Sequence, residues 1–163
     1  MKNLKIIITA FFIFGAILII FLLKNDTHSM SKSDYIHQKY FLASIDIFKK
    51  WDKKKAAIFS SNTYSYEEKN KLMEFEGNKA FVETDMLQEK LREEEKNLYP
   101  GQFEQVKYLK RFMNEQKKYI SLTKDLRYES QNFKQWDMRL KMCEDELENN
   151  ARGYHIARNE KSE

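Results

Sequence analysis

Eighteen consecutive residues, Ile6 to Leu23, read IIITAFFIFGAILIIFLL and carry no charged side chain. As a helix rising about 1.5 Å per residue the run would reach roughly 27 Å, close to the ~30 Å hydrocarbon core of a bilayer. Each of its Ile, Phe and Leu side chains favours insertion by ~0.3 to 0.6 kcal/mol near the centre of a membrane helix. The run is therefore expected to be a transmembrane helix. It divides the chain into a short stub (1–5), the span (6–23), a polar juxtamembrane linker (24–33), a helical domain (34–155) and a polar tail (156–163).

A cleaved signal peptide is the rival reading, because MKNLK is a plausible basic leader ahead of an apolar run. Two details favour an uncleaved signal-anchor. The run exceeds the usual h-region of about 7 to 15 residues, and LLKNDTHSMSKS after it offers no small-x-small pair for a peptidase. No Cys lies near the span to take a lipid. Basic residues flank both ends, with Lys2 and Lys5 before and Lys24, Lys32 and Lys39 after. Charge alone does not orient the span. The short positive stub leads us to expect the N-terminus inside and the domain outside a bacterial inner membrane, in the periplasm.

The chain of 163 residues leaves about 140 beyond the span, which suits one domain with a modest core. Lys2 and Lys5 account for two of the formal +4 charges. What remains is too nearly neutral for a nucleic-acid binder, so no nucleic acid is expected. Four Gly and one Pro provide few turn residues for a sheet. An all-α domain is expected, an antiparallel helical bundle of three to four helices held by packing alone, since the lone Cys143 has no disulfide partner.

From Asp34, read as an N-cap, Ile36, Tyr40, Ala43, Ile47 and Trp51 fall on one helical face, with Phe41, Ile45 and Phe48 beside it. Five lysines between Lys49 and Lys55 close this first helix. They would either lie on lipid headgroups or, as charge runs on helices usually do, form a solvated face pairing with acids of the next helix. Ser65 and Glu68 form a capping box ahead of a second helix running from Tyr66 to about Leu98. It carries two apolar rows, one through Met73, Gly77, Ala80, Thr84, Leu87, Leu91 and Leu98, the other through Leu72, Phe75, Val82 and Met86. Two rows predict two neighbours. The Gly, Ala and Thr of the first row make it a poor homodimeric coiled-coil seam.

Tyr99-Pro100-Gly101 breaks the chain before a third helix with a stripe of Val106, Leu109, Met113 and Ile120, flanked by Tyr108, Phe112 and Tyr119. A last stripe runs through Leu126, Phe133, Trp136, Leu140, Cys143, Leu147, Ala151 and Tyr154. A turn near Thr123 or in Glu129–Asn132 is expected between them. The alternative, one continuous helix of about 50 residues, is longer than a globular domain normally holds. HIARNEKSE reads as a fraying end.

Catalytic chemistry has little to work with here. His28 falls in the linker, His37 near the start of the first helix and His155 in the polar end. Asp34 and His37 are spaced to share a helix face but lack further ligands, so no metal site is expected. Cys143 lies within an apolar stripe, as a buried thiol does. Nucleotide, metalloprotease, serine-hydrolase and redox motifs are absent, so no catalytic residue and no cofactor is expected. The acids Glu93–Glu95 and Glu144–Glu148 look like solvated helix faces, although they keep an envelope hydrolase as an alternative. Aromatics are abundant, with 12 Phe, 9 Tyr and 2 Trp. Those off the main stripes, Tyr64, Phe81, Tyr108 and Tyr128, are the candidate partner-binding residues, since tyrosine and its kin give large contact area at low entropic cost.

The stretch LRYESQNFKQWDMRLKMC is similar to the Ser-Gln, aromatic and Cys pattern of helical periplasmic lysozyme-inhibitor-like domains. Its spacing departs from theirs and the paired cysteines are missing. One N-terminal span with a helical tail resembles the inner-membrane subunit of phage spanins in layout alone. The expected role is therefore a single-pass adaptor, complex subunit or inhibitor that contacts the bilayer through 6–23 and a protein partner through its domain. A homo-oligomer remains open, and a spanin-like lysis or envelope component is the alternative.

Overall fold

A computed structural model describes residues 32–98 and 102–159. Ile6–Leu23, most of the linker and Tyr99-Pro100-Gly101 lie outside the described residues. Among those described, no helix is long and apolar enough to cross a membrane. From Ile36 onward the chain forms one compact unit, an all-α bundle of about five helices. The elements are α1 (Lys32–Ile36), a π-helical turn (His37–Phe41), α2 (Leu42–Ser60), α3 (Tyr66–Glu95), α4 (Phe103–Thr123), α5 (Leu126–Gln131) and α6 (Phe133–Asn159).

The first helix departs from expectation at both ends. Asp34 lies inside the first turn of α1 and is not an N-cap. In the π turn, the Leu42 N–H donates to the His37 carbonyl five residues back. The extra residue per turn advances the face presented to the core by one position. Tyr40 and Phe41 are both buried as a result, and Ser44, Trp51 and Ile58 then carry the buried face in place of Ala43 and Ile47. The Ser65–Glu68 capping box is present as expected, with the Glu68 N–H donating to Ser65 Oγ and the Ser65 N–H to Glu68 Oε2.

Polar bonds between the helices fix their directions. Lys39 pairs with Glu94 and Lys54 with Glu76, so α3 runs antiparallel to the first helix, and part of the basic run meets acids as the solvated reading expects. Lys110 pairs with Glu95 and Lys117 with Asp85, which sets α4 antiparallel to α3. Gln105 bonds Tyr154 while Trp136 bonds the Leu122 carbonyl, so α6 is antiparallel to α4. Along α2 and α4, Gln116 donates to the Ser44 carbonyl and Trp51 to Thr123, a parallel pair.

α4 is the centre of the bundle and packs against α2, α3 and α6. Val106, Leu109, Met113 and Ile120, its expected stripe, have no accessible surface. Gln105, Phe112, Gln116, Tyr119, Leu122 and Thr123 are buried as well, which widens the apolar arc well beyond one stripe. The chain turns after Thr123, and the Asp125 carboxylate caps α5 by accepting from the Arg127 and Tyr128 N–H groups. A second break at Asn132 starts α6. Both expected turn positions are used, and the continuous helix is not formed.

Four apolar positions and the end of the last helix depart from expectation. In the second row of α3, Phe75, Val82 and Met86 are 66%, 55% and 56% exposed, so that face has no second neighbour among the described residues. Phe133 is 60% exposed, because it begins α6 at the kink and precedes the part that meets α4. α6 continues through Asn159, and His155 sits in it against Phe41 and does not fray.

Gly153 lets α6 approach α4: an added Cβ would lie 2.4 Å from the Tyr108 ring. An exposed helical Gly→Ala change would gain about 1 kcal/mol, whereas overpacking costs about 1 to 3 kcal/mol. The clash wins here, so Gly153→Ala should lower the urea midpoint; an unchanged or higher midpoint would contradict the close approach.

Tyr40 has no accessible surface, and its phenol pKa is pushed up to about 12, first by burial and then by the Glu94 carboxylate. An unfolded tyrosine ionises near pH 10, so this group's contribution is complete below pH 10 and is lost as pH climbs towards about 12. Urea midpoints should decline above pH 10, and Tyr40→Phe should flatten part of that decline.

Candidate functional site

With α2, α3 and α6 against three sides of α4, the fourth side is left open by the described residues. It forms the floor of a surface groove of about 1140 Å³ between α3 and α6. The floor carries Arg111, Asn114, Lys118 and Ser121 at helical spacing. Phe81 projects from α3 on one side, and Met142, Cys143 and Glu146 line α6 on the other. Leu122 and Tyr128 close the end where α4 hands over to α5.

The groove is apolar in its walls and predominantly cationic in its charge. Arg111, Lys117, Lys118 and Arg139 line it against the two acids Glu115 and Glu146. Lys117 is held by Asp85 at 2.8 Å and by Gln88 at 2.7 Å, and sits 5.6 Å from the centre of the Phe81 ring. Lys118 pairs with Glu115 at 2.6 Å, which holds its ammonium pKa above the ordinary lysine value. The two arginines are different. Arg139 donates to the Tyr128 hydroxyl at 3.1 Å, and Arg111 lies 6.0 Å from the Tyr108 ring centre. Neither meets a carboxylate among the described residues. A guanidinium presents a planar fork of donors suited to carboxylates, so both are available to an acidic partner.

Of the four aromatics singled out from the sequence, Phe81 and Tyr128 line this groove. Tyr108 is half-buried against Gly153 and contributes indirectly, under Arg111. Tyr64 is 44% exposed in the turn before α3 and does not line it. Sequence reasoning missed Arg111, Arg139 and Met142. Each occupies the polar face of its own helix, and no local pattern indicates that those faces converge.

The remaining chemistry-bearing side chains are tied into packing. His37 Nδ1 lies 3.2 Å from the Tyr154 hydroxyl, which also accepts from Gln105 at 3.0 Å. Phe41 stacks on the Tyr154 ring at 4.2 Å. This cluster joins the π turn to α4 and α6. Among the described residues no three His, Cys, Asp or Glu side chains converge as a metal site would need. Cys143 is buried, and its thiol pKa is raised, first by desolvation and then by the Glu115 carboxylate.

No family model, curated protein or solved structure matches the chain.

A raised pKa and burial both suppress thiolate chemistry. Iodoacetamide at neutral pH should therefore label Cys143 more slowly in the folded chain than in the urea-unfolded chain, by about tenfold or more. Equal rates would place the thiol in an open, activated setting.

Proposed function

We propose that the chain is a single-pass membrane protein that works by binding another protein, with the groove on α4 as its binding face. The observation that carries this reading is the pairing of apolar walls with two arginines that meet no carboxylate among the described residues. Aromatic and Arg side chains are the types that dominate the energetics of protein interfaces. Ile6–Leu23 supports the tether, and the basic stub supports a bacterial inner-membrane location with the domain in the periplasm.

Tethering raises the effective concentration of a modest binding face, which suits an adaptor, complex subunit or inhibitor. Catalysis forms no part of the proposal, because the buried thiol and the structural His37–Tyr154 pair are poorly placed for it. A lysis component is favoured by a continuous helix from Gln102 to Ala151, and the breaks after Thr123 and at Asn132 withhold that support, while the spanin-like layout of a span and a helical tail is left as an alternative.

Two measurements test the proposal together. Membranes carrying the full chain should retain it through a carbonate wash. A photo-crosslinker at Ser121 or Met142 should capture protein, while one at Glu148, outside the groove, should not. Release by carbonate would overturn the tether, and equal capture from all three positions would overturn the groove.

A further inference from the structure

The outward face of α3 and the groove on α4 complement each other. We propose that the groove of one copy receives α3 of a second copy, seated by Phe75, Val82 and Met86. This rests on reading the groove as a protein-binding face, and it names the partner.

Phe75, Val82 and Met86 are more than half exposed, although α3 is otherwise a well-packed helix of the bundle. They lie at spacings of seven and four, so they share one side of the helix, turned away from the buried Met73, Ala80, Thr84 and Leu91. α3 carries ten acidic and five basic residues. The groove has the opposite balance, with four cations against two acids around apolar walls. An acidic helix with an unpartnered apolar stripe is the ligand such a groove fits.

The stripe and the groove also lie at matching heights along the bundle. Lys117 bonds both Asp85 and Gln88, so Met86 is level with Lys117 on the groove floor. Lys110 bonds Glu95, which puts Glu93 at the height of Arg111. On α6, Tyr154 meets Gln105 and Trp136 meets Leu122, so Met142 is also near the height of Lys117 and Arg139 near that of Ile120. Rotating a second copy about an axis along the helices, with no sliding, brings Met86 and Val82 over Leu122 and Met142. The same rotation sets Glu93 against Arg111.

The flanks agree as well. Glu76 pairs with Lys54 and so marks the α2-facing side of α3. Glu83 and Lys90 follow at successive intervals of seven and lie on that side. Rotation turns this flank towards α6 of the host. Glu83 then comes level with Arg139, and Lys90 level with Glu146. Seating α3 in the groove therefore gives both arginines a carboxylate and covers the exposed stripe in one step. Because stripe and groove are different surfaces, the contact is heterologous and closes by rotation into a ring.

The test uses the full chain in detergent micelles, with mass measured by light scattering corrected for bound detergent. Wild type should show at least twice the single-chain mass. Val82→Asp with Met86→Asp removes the stripe, and Arg111→Glu with Arg139→Glu reverses the groove. All four positions are exposed, so circular dichroism should be unchanged, and each double variant alone should be a single chain. An equimolar mixture of the two variants still contains one intact stripe and one intact groove, and should give a species of two chains.

Wild type that stays a single chain overturns the proposal and leaves the groove to a foreign acidic helix and the stripe to lipid. An assembly that both variants retain, held by residues 1–31, overturns it too, as does a mixture that fails to associate. Carbonate release of the chain would sink the tether without altering any of these masses.

Discussion

Burial of α4 on three sides is the constraint from which the rest of the bundle follows. A helix that hides Val106, Leu109, Met113 and Ile120 completely must have neighbours across more than half its circumference. α2, α3 and α6 provide them. The polar residues within that arc are compatible with burial because they are hydrogen-bonded. Gln116 donates to the Ser44 carbonyl, and Thr123 accepts from Trp51 while donating to the Tyr119 carbonyl. Gln116 Oε1 has no partner among the described residues. Bonds of this kind add only about 0.5 to 1.5 kcal/mol each, but leaving a buried group unpaired costs about 1 to 3 kcal/mol. Their main effect is to fix the register of each helix against α4.

The groove is the complement of that packing. Among the described residues three neighbours leave one strip of α4 uncovered, and α3 and α6 rise on either side of it without closing over it. The walls are apolar because they continue the packed faces of the two flanking helices, through Phe81 and Cys143. The floor is charged because it was the solvated face of an amphipathic helix. A surface that is greasy at its margins and cationic along its centre thus follows from the three described helices that pack on α4.

The π turn has an equally local cause and a wider effect. One extra residue between Ile36 and Leu42 shifts the buried face, so Phe41 reaches Tyr154 and Ser44, in place of Ala43, turns inward beside Gln116. Tyr154 then carries His37, Phe41 and Gln105 around one ring. Histidine and tyrosine side chains that look like chemistry in the sequence serve here to knit the two ends of the domain together.

The sequence alone determined the all-α class, the Ser65–Glu68 cap, the central stripe of α4, the burial of Cys143 and the regions where the chain turns after α4. These depend on periodicity, on capping side chains and on scarce Gly and Pro, all of which act over a few residues. It also marked Phe81 and Tyr128 as aromatics that did not belong to a core stripe. What it left open were features that need two distant segments at once. The exposure of Phe75, Val82 and Met86 depends on how many helices reach α3, and a one-residue shift by the π turn has no propensity signature. The meeting of Arg111 with Arg139 across one groove required the antiparallel packing of α4 and α6, because each arginine by itself is an ordinary charge on a solvated face. Short-range order is written in local side-chain chemistry, whereas a site is made by juxtaposition, which only the tertiary structure decides.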